Sequence, residues 1–186
     1  MKQDRYRRGS AKVGLLTAVA VLVALCVPAL AAGSATVFIK DGKGGLRFVG
    51  PKTVVAGEEL KVQNQTNPHK VGPHTFSLVE KGLVPKTPNA RKLCFTKGHI
   101  CKAIAAWHGV KGNGPVKINP VEAGAPGWDT LGSLTTTGDS WFTGEKPGTS
   151  FEQPVTASVT AGPTRLFYIC AVHPWMHGSI EVLPAS

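Results

Sequence analysis

Three side chains that bind soft metal ions lie close together near the end of the chain, in FYICAVHPWMHG (167–178). Cys170, His173 and Met176 offer a thiolate, an imidazole nitrogen and a thioether sulfur. Zinc sites rarely use a thioether, whereas one Cys, two His and a distant Met form the typical ligand set of electron-transfer copper sites. The segment therefore predicts a copper site that needs one more histidine from elsewhere in the chain.

Two upstream histidines could supply that missing ligand. His74 begins HTFSLV, whose alternating pattern places it at the inward-facing start of a strand. His69 lies in NPHKVG, which is rich in turn-forming residues. We favour His74 and keep His69 as the alternative. His177, directly after Met176, is expected to be a solvent-facing loop residue, with a competing axial ligand role as its alternative.

The other cysteines also bear on the site. Cys94 and Cys101 lie close together in CFTKGHIC, and such pairs are usually oxidised in exported proteins. We predict a disulfide between them and rank a metal site built from Cys94, His99 and Cys101 below it. Cys170 is then the unpaired thiol of the mature chain, which favours its use as a ligand.

The first 31 residues have the three parts of a secretory signal peptide. A basic start, MKQDRYRRGSAK, is followed by an uncharged apolar run over 13–30 and by the small-residue motif Ala29-Leu30-Ala31. We predict a signal peptide over 1–31 and an extracytoplasmic protein, either secreted, periplasmic or at the cell surface. The alternative is a membrane anchor over 13–30, because this run has the minimum length of a membrane-spanning helix.

The charge of the chain restricts its partners. The formal net charge is +10 at pH 7, and the charges are spread along the sequence. No block of Lys and Arg is interleaved with aromatic residues, so we expect no nucleic acid partner. The charge is compatible with simple solubility, or with attraction to an acidic partner protein or an anionic cell surface.

Short strand patterns separated by Gly- and Pro-rich turns indicate an all-β fold. The patterns cover 35–40, 45–49, 53–55, 58–64, 74–80, 151–160, 164–170 and 178–183. They predict an antiparallel Greek-key β-sandwich over residues 32–186. A long insertion at about 81–150 interrupts it, in which we expect a short helix over 101–108 and otherwise mostly loop. Its tryptophans are expected to anchor the insertion against the sandwich: Trp107, Trp128 and Trp141.

The segment FYICAVHPWMHGSIEV (167–182) resembles the C-terminal metal loop of the cupredoxins, the blue or type 1 copper proteins. Its Cys-x₂-His-x₂-Met spacing is similar to the short loop of the plastocyanin- and amicyanin-like members. GEELKVQNQT followed by PHTFSLV is similar to the strand pair that carries the upstream histidine in that family. The resemblance covers roughly 36–80 and 150–183. It implies a cupredoxin-like sandwich and one copper ion bound by His74, Cys170, His173 and Met176.

The resemblance also implies a one-electron carrier rather than an enzyme, and we find no dyad that would activate a substrate. His173, beside Pro174 and Trp175, would be the exit for the electron toward a redox partner protein. The alternative function is extracytoplasmic copper storage or delivery without a redox partner, and a metal-free structural module ranks third. The sequence departs from the family at Thr75, because the family often has Asn directly after the upstream His.

Overall fold

The computed structural model describes residues 33–111, 117–158 and 164–185. The signal peptide predicted over 1–31, and the alternative anchor over 13–30, lie outside this part of the chain. Among the described residues, no helix is long and apolar enough to cross a membrane.

Ten strands of the described residues form two β-sheets. They are β1 (Ser34–Lys40), β2 (Arg47–Val49), β3 (Thr53–Val55), β4 (Glu59–Asn64), β5 (Thr75–Leu78), β6 (Glu122–Ala123), β7 (Ser140–Phe142), β8 (Ser150–Pro154), β9 (Thr164–Ile169) and β10 (His177–Leu183). The first sheet has the order β2-β1-β4-β8 and the second β3-β10-β9-β5-β7-β6. The prediction of a mainly-β fold with two sheets is confirmed.

Both sheets are mixed, and the expectation of purely antiparallel sheets is wrong at two strand pairs. β1 runs parallel to β4, with Val37 opposite Val62, and β3 runs parallel to β10, with Val54 opposite Val182. Between β1 and β4 the chain passes through β3, which belongs to the other sheet. The two strands are therefore not joined by a tight hairpin, and they can run in the same direction.

The main apolar core lies between the two sheets and is built from alternate strand residues. It includes Val37 and Ile39 of β1, Leu60 and Val62 of β4, Phe76 and Leu78 of β5, Leu166 and Tyr168 of β9, and Ile180 and Val182 of β10. This period of two is what one buried strand face requires. Trp128 and Trp141 also lie in this core. They belong to the sandwich rather than to a separate anchor of the insertion.

Several of the strands are connected by short helices. They are α1 (Pro68–Val71), α2 (Pro88–Leu93) and α3 (Ile100–Trp107), with a 3₁₀ turn at Lys81–Leu83. α3 agrees with the helix predicted over 101–108 to within one residue at each end. A second apolar cluster joins Ile104 of α3 and the disulfide Cys94–Cys101 to Val79 and Ile169, and Trp107 packs against it.

The insertion changes the environment of β5. The alternation of its sequence predicted one buried face, but all four residues of β5 are buried. One face meets the main core and the other meets the insertion. The disulfide predicted between Cys94 and Cys101 is present and braces that insertion.

The segment predicted to be mostly loop returns to the second sheet and adds β6 and β7. β7 pairs antiparallel with β5, with Ser140 opposite Ser77. The return path needs two glycines that approach each other closely. The Gly132 amide donates to the Leu78 carbonyl at 3.1 Å, and a Cβ on Gly132 would lie 2.5 Å from the Gly138 nitrogen and 2.6 Å from Cζ2 of Trp107.

We therefore expect Gly132→Ala to reduce the free energy of unfolding by about 1–3 kcal/mol, the usual cost of forcing extra volume into a packed site. Chemical denaturation of the metal-free protein would measure it. Gly82→Ala is the matched control, because a Cβ at Gly82 has no neighbouring atom within 4 Å. Equal losses in the two variants would contradict the close approach.

Candidate metal centre

Two neighbouring strands bring distant ligand residues together at one end of the second sheet. His74 directly precedes β5, and Cys170 directly follows β9. β5 and β9 are antiparallel neighbours, with Ser77 opposite Ile169, so that the start of one strand lies beside the end of the other. His173 lies in the short loop between β9 and β10.

The thiol of Cys170 lies near both imidazoles. Its Sγ is 3.8 Å from His74 Nδ1 and 3.6 Å from His173 Nδ1. The three ligand atoms lie within 4.8 Å of one another, and all three side chains are buried. Within the described part of the chain, this is the group of His, Cys, Asp or Glu residues that could hold a metal ion.

These distances fit one ion shared by the three donors. A metal bonded to sulfur at about 2.3 Å and to an imidazole nitrogen at about 2.0 Å separates the two atoms by about 3.7 Å when the bond angle is near 120°. The two sulfur-to-nitrogen distances lie on either side of that value. The donor set of one thiol and two imidazoles therefore needs little movement to bind a metal.

Hydrogen bonds of the surrounding backbone hold Cys170 in place. The Thr75 amide donates to Cys170 Sγ at 3.4 Å, and the Cys170 amide donates to the Met176 carbonyl at 2.9 Å. Burial raises the pKa of the Cys170 thiol to about 11. Backbone hydrogen bonds to the sulfur act in the opposite direction, and the one from Thr75 has the largest effect among them. The metal-free thiol is thus protonated at neutral pH, and a bound metal would have to displace that proton.

The orientation of His74 is fixed by residues that the sequence analysis did not identify. The Thr66 hydroxyl donates to Asn64 Oδ1 at 2.8 Å, so that its 3.0 Å contact with His74 Nε2 has the imidazole N–H as donor. His74 Nδ1 is then unprotonated and faces Cys170. Asn64 could have been identified from the sequence, because it is a polar residue at the inward-facing position of β4 that follows Leu60 and Val62.

Backbone contacts and burial also suit His74 to a ligand role. Its amide donates to Thr143 Oγ1 at 2.9 Å, and its carbonyl accepts from the Thr143 amide at 2.9 Å. Burial, and to a smaller extent the neighbouring His173, lower the pKa of His74 to about 4. The imidazole is therefore neutral at pH 7, which is the form that binds metals.

His173 is the member of the group nearest to the surface. Its ring centroid lies 4.7 Å from that of His74 and 5.1 Å from that of Trp175, whose side chain is 49% exposed. Burial lowers the pKa of His173, while a backbone hydrogen bond to Val71 acts in the opposite direction. The end of α1 packs against the ring, where Gly72 adopts a positive φ of 80°.

The remaining candidate residues have different positions. Met176 is buried in the main core cluster that also contains Cys170, and its axial ligand role stays a prediction. His69 is exposed on α1 and is not part of the three-residue group. His177 is half-buried at the start of β10, where burial and then Arg91 and Lys86 lower its pKa. It is also outside the group.

Thr75 replaces the expected asparagine with contacts of its own. Thr75 Oγ1 accepts from the Ala171 amide at 2.8 Å and from Ser77 Oγ at 3.0 Å. The chain of polar contacts continues from Ser77 Oγ to Ser140 Oγ at 2.6 Å and from Ser140 to His108 Nε2 at 2.8 Å. This buried chain joins the insertion to the residue after Cys170. This chain of polar contacts cannot be predicted from sequence spacing, because its residues come from separate segments.

We expect Thr75→Val to disturb the metal centre and Thr75→Ser to disturb it much less. Valine keeps the shape of threonine but leaves the buried Ala171 amide without an acceptor, which costs about 1–3 kcal/mol. Serine keeps the accepting oxygen. Denaturation of the metal-free variants and the position of the visible absorption band of the copper-loaded variants would measure the effect. Equal effects of the two substitutions would show that the Thr75 hydroxyl does not hold the backbone after Cys170 in place.

No protein-family model matches the chain, and a comparison with curated proteins finds no match. The functional assignment therefore depends on the residues and the geometry described above.

Proposed function

We propose that this protein is an exported cupredoxin that binds one copper ion and carries single electrons without enzymatic activity. The observation that supports this most strongly is the buried Cys170 thiol between the unprotonated Nδ1 of His74 and Nδ1 of His173. The two-sheet architecture supports a cupredoxin-like, Greek-key sandwich as the scaffold.

The donor set favours copper over zinc. Structural zinc sites use four Cys or His ligands, and catalytic zinc sites combine three His, Cys or carboxylate ligands with an open position. Here the next side chain in the loop that could bind a metal is that of Met176, whose thioether suits copper as a weak fourth ligand. Such a ligand set serves both common oxidation states of copper. A copper ion held there would supply a one-electron couple.

Each residue of the centre has a defined task in this proposal. Cys170 would bind copper as the thiolate, and His74 and His173 would each supply an imidazole nitrogen. Met176 and the apolar core around it keep water from the site and tune its potential. Thr75 limits the movement of Cys170 through its amide and hydroxyl contacts.

His173 is the proposed exit for the electron, because it is the ligand nearest to the exposed Trp175. Trp175 offers an apolar contact to a redox partner protein. Lys70, in the last turn of the neighbouring helix α1, is an exposed basic residue, which supports an acidic partner. The disulfide Cys94–Cys101 supports an extracytoplasmic location, since disulfides persist in oxidising compartments.

Repeated reduction and reoxidation of the copper-loaded protein tests the carrier against the storage or delivery alternative. A carrier is expected to cycle with ascorbate and ferricyanide and to keep its copper when a Cu(I) chelator is present during the reduced phase. A delivery protein is expected to lose Cu(I) to the chelator in the first cycle. Loss of more than half of the copper in one cycle would contradict the electron-carrier proposal.

A further inference from the structure

A cavity of about 880 Å³ lies between α3 and the end of the second sheet that carries the metal centre. Ala171 and Val172, which separate two of the proposed ligands in sequence, form part of its wall. Pro73 and Thr75, which flank a third ligand, form another part. The volume is within the range of about 300–1,000 Å³ that is typical of small-molecule sites.

The opposite wall is braced covalently. Phe95 and Lys102 line the cavity, and each directly follows one cysteine of the disulfide Cys94–Cys101. The Lys102 amide also donates to the Cys94 carbonyl at 3.2 Å. A wall that is already held in place loses little freedom when a ligand binds, which favours affinity.

The lining favours an uncharged, apolar occupant. Aliphatic and aromatic side chains supply most of it, among them Phe95, Ile104, Val110, Ile118 and Phe142. The polar atoms of Thr75 and His108 are already engaged in the buried chain through Ser77 and Ser140. Of the charged residues in the lining, Lys102 is half-buried and Glu145 is exposed.

Phe95 adds a specific indication of the ligand class. Its side chain is 49% exposed although it is large, apolar and on the wall of the cavity. Phe142 lies in the same lining, and aromatic rings pair favourably edge-to-face or offset-stacked. We propose that this cavity is a binding site for a small uncharged aromatic molecule, which would contact the backbone of the metal loop.

The test uses 2-naphthol as the probe and the full-length, metal-free protein. Ala105→Phe places a ring in the cavity, since Ala105 lines it. Ala106→Phe is the matched control, because the neighbouring Ala106 is exposed and does not line this cavity. We expect saturable binding of one equivalent by fluorescence titration, with shifts of the Ala171 and Val172 amide resonances. Ala105→Phe should weaken it by about tenfold or more and Ala106→Phe by less than about twofold.

A smaller substitution keeps the test decisive if Ala105→Phe does not fold. Ala105→Leu should also weaken 2-naphthol binding, by less than the phenylalanine. Naphthalene-2-sulfonate tests the charge and is expected to bind more weakly than 2-naphthol. The proposal would be overturned by absence of saturable binding, by equal binding to the Ala105 and Ala106 variants, or by tighter binding of the sulfonate. Because the protein is metal-free, these results do not depend on whether it binds copper.

Discussion

Cys170→Ser is expected to abolish the intense visible absorption of the copper-loaded protein and to weaken copper binding by more than about a hundredfold. Loss of residues that only support a ligand commonly costs about 10–100-fold in metal affinity, and loss of the thiolate itself should cost more. The absorption band would arise from thiolate-to-copper charge transfer. A hydroxyl at the same position lacks the soft sulfur donor, whose loosely held electrons allow the transition to occur in the visible range.

Met176→Leu is the matched comparison for this substitution. Leucine fills a similar volume in the core cluster around Met176, so that the fold should be retained. We expect this variant to keep both copper and colour and to change the reduction potential. Copper titration and visible absorption of the two variants would measure the contrast. A strongly coloured Cys170→Ser protein would show that the thiolate has been assigned to the wrong residue.

His74→Leu is expected to remove high-affinity copper binding, whereas His69→Leu should leave it unchanged within about twofold. Nδ1 of His74 lies 3.8 Å from Cys170 Sγ, whereas the side chain of His69 is exposed on α1. Loss of one of three strong donors should again cost more than about a hundredfold in affinity. Copper titration in competition with a chelator would give both affinities.

Folding of the His74 variant can be checked separately. The Thr66 hydroxyl still has Asn64 Oδ1 as its acceptor in His74→Leu, so that no buried donor is newly created at that residue. The metal-free variant should therefore unfold cooperatively in denaturant. The assignment of the upstream ligand would be wrong if His69→Leu lost copper and His74→Leu kept it.

Local sequence chemistry predicted much of the centre. The thiol, imidazole and thioether of the C-terminal loop are close in sequence, so that their ligand chemistry is visible without a fold. The alternation around His74 also indicated an inward-facing strand start. The disulfide Cys94–Cys101 followed from the closeness of the two cysteines.

Contacts between distant segments were not predictable in the same way. The polar chain through Ser77 and Ser140 depends on the pairing of β5 with β7, and β7 is only three residues long. So short a strand has too few residues to show a period of two. The parallel pairing of β1 with β4 depends equally on the path of the chain between the sheets.

Two helices were missed although their starts carry a readable signal. Asn67 precedes Pro68 and accepts from the His69 amide, and Thr87 precedes Pro88 and accepts from the Ala90 amide. A capping residue followed by proline is a typical beginning of a helix. The helices are only four and six residues long, so that no apolar periodicity accompanied the caps.

The most direct test of the proposed centre is the absorption and paramagnetic resonance spectrum of the full-length protein with one equivalent of Cu(II). A buried thiolate with two imidazoles predicts an intense visible band and a narrow copper hyperfine splitting, both of which should disappear in Cys170→Ser. A pale solution with a tetragonal resonance spectrum, or a protein that takes up no copper, would contradict the type 1 copper proposal.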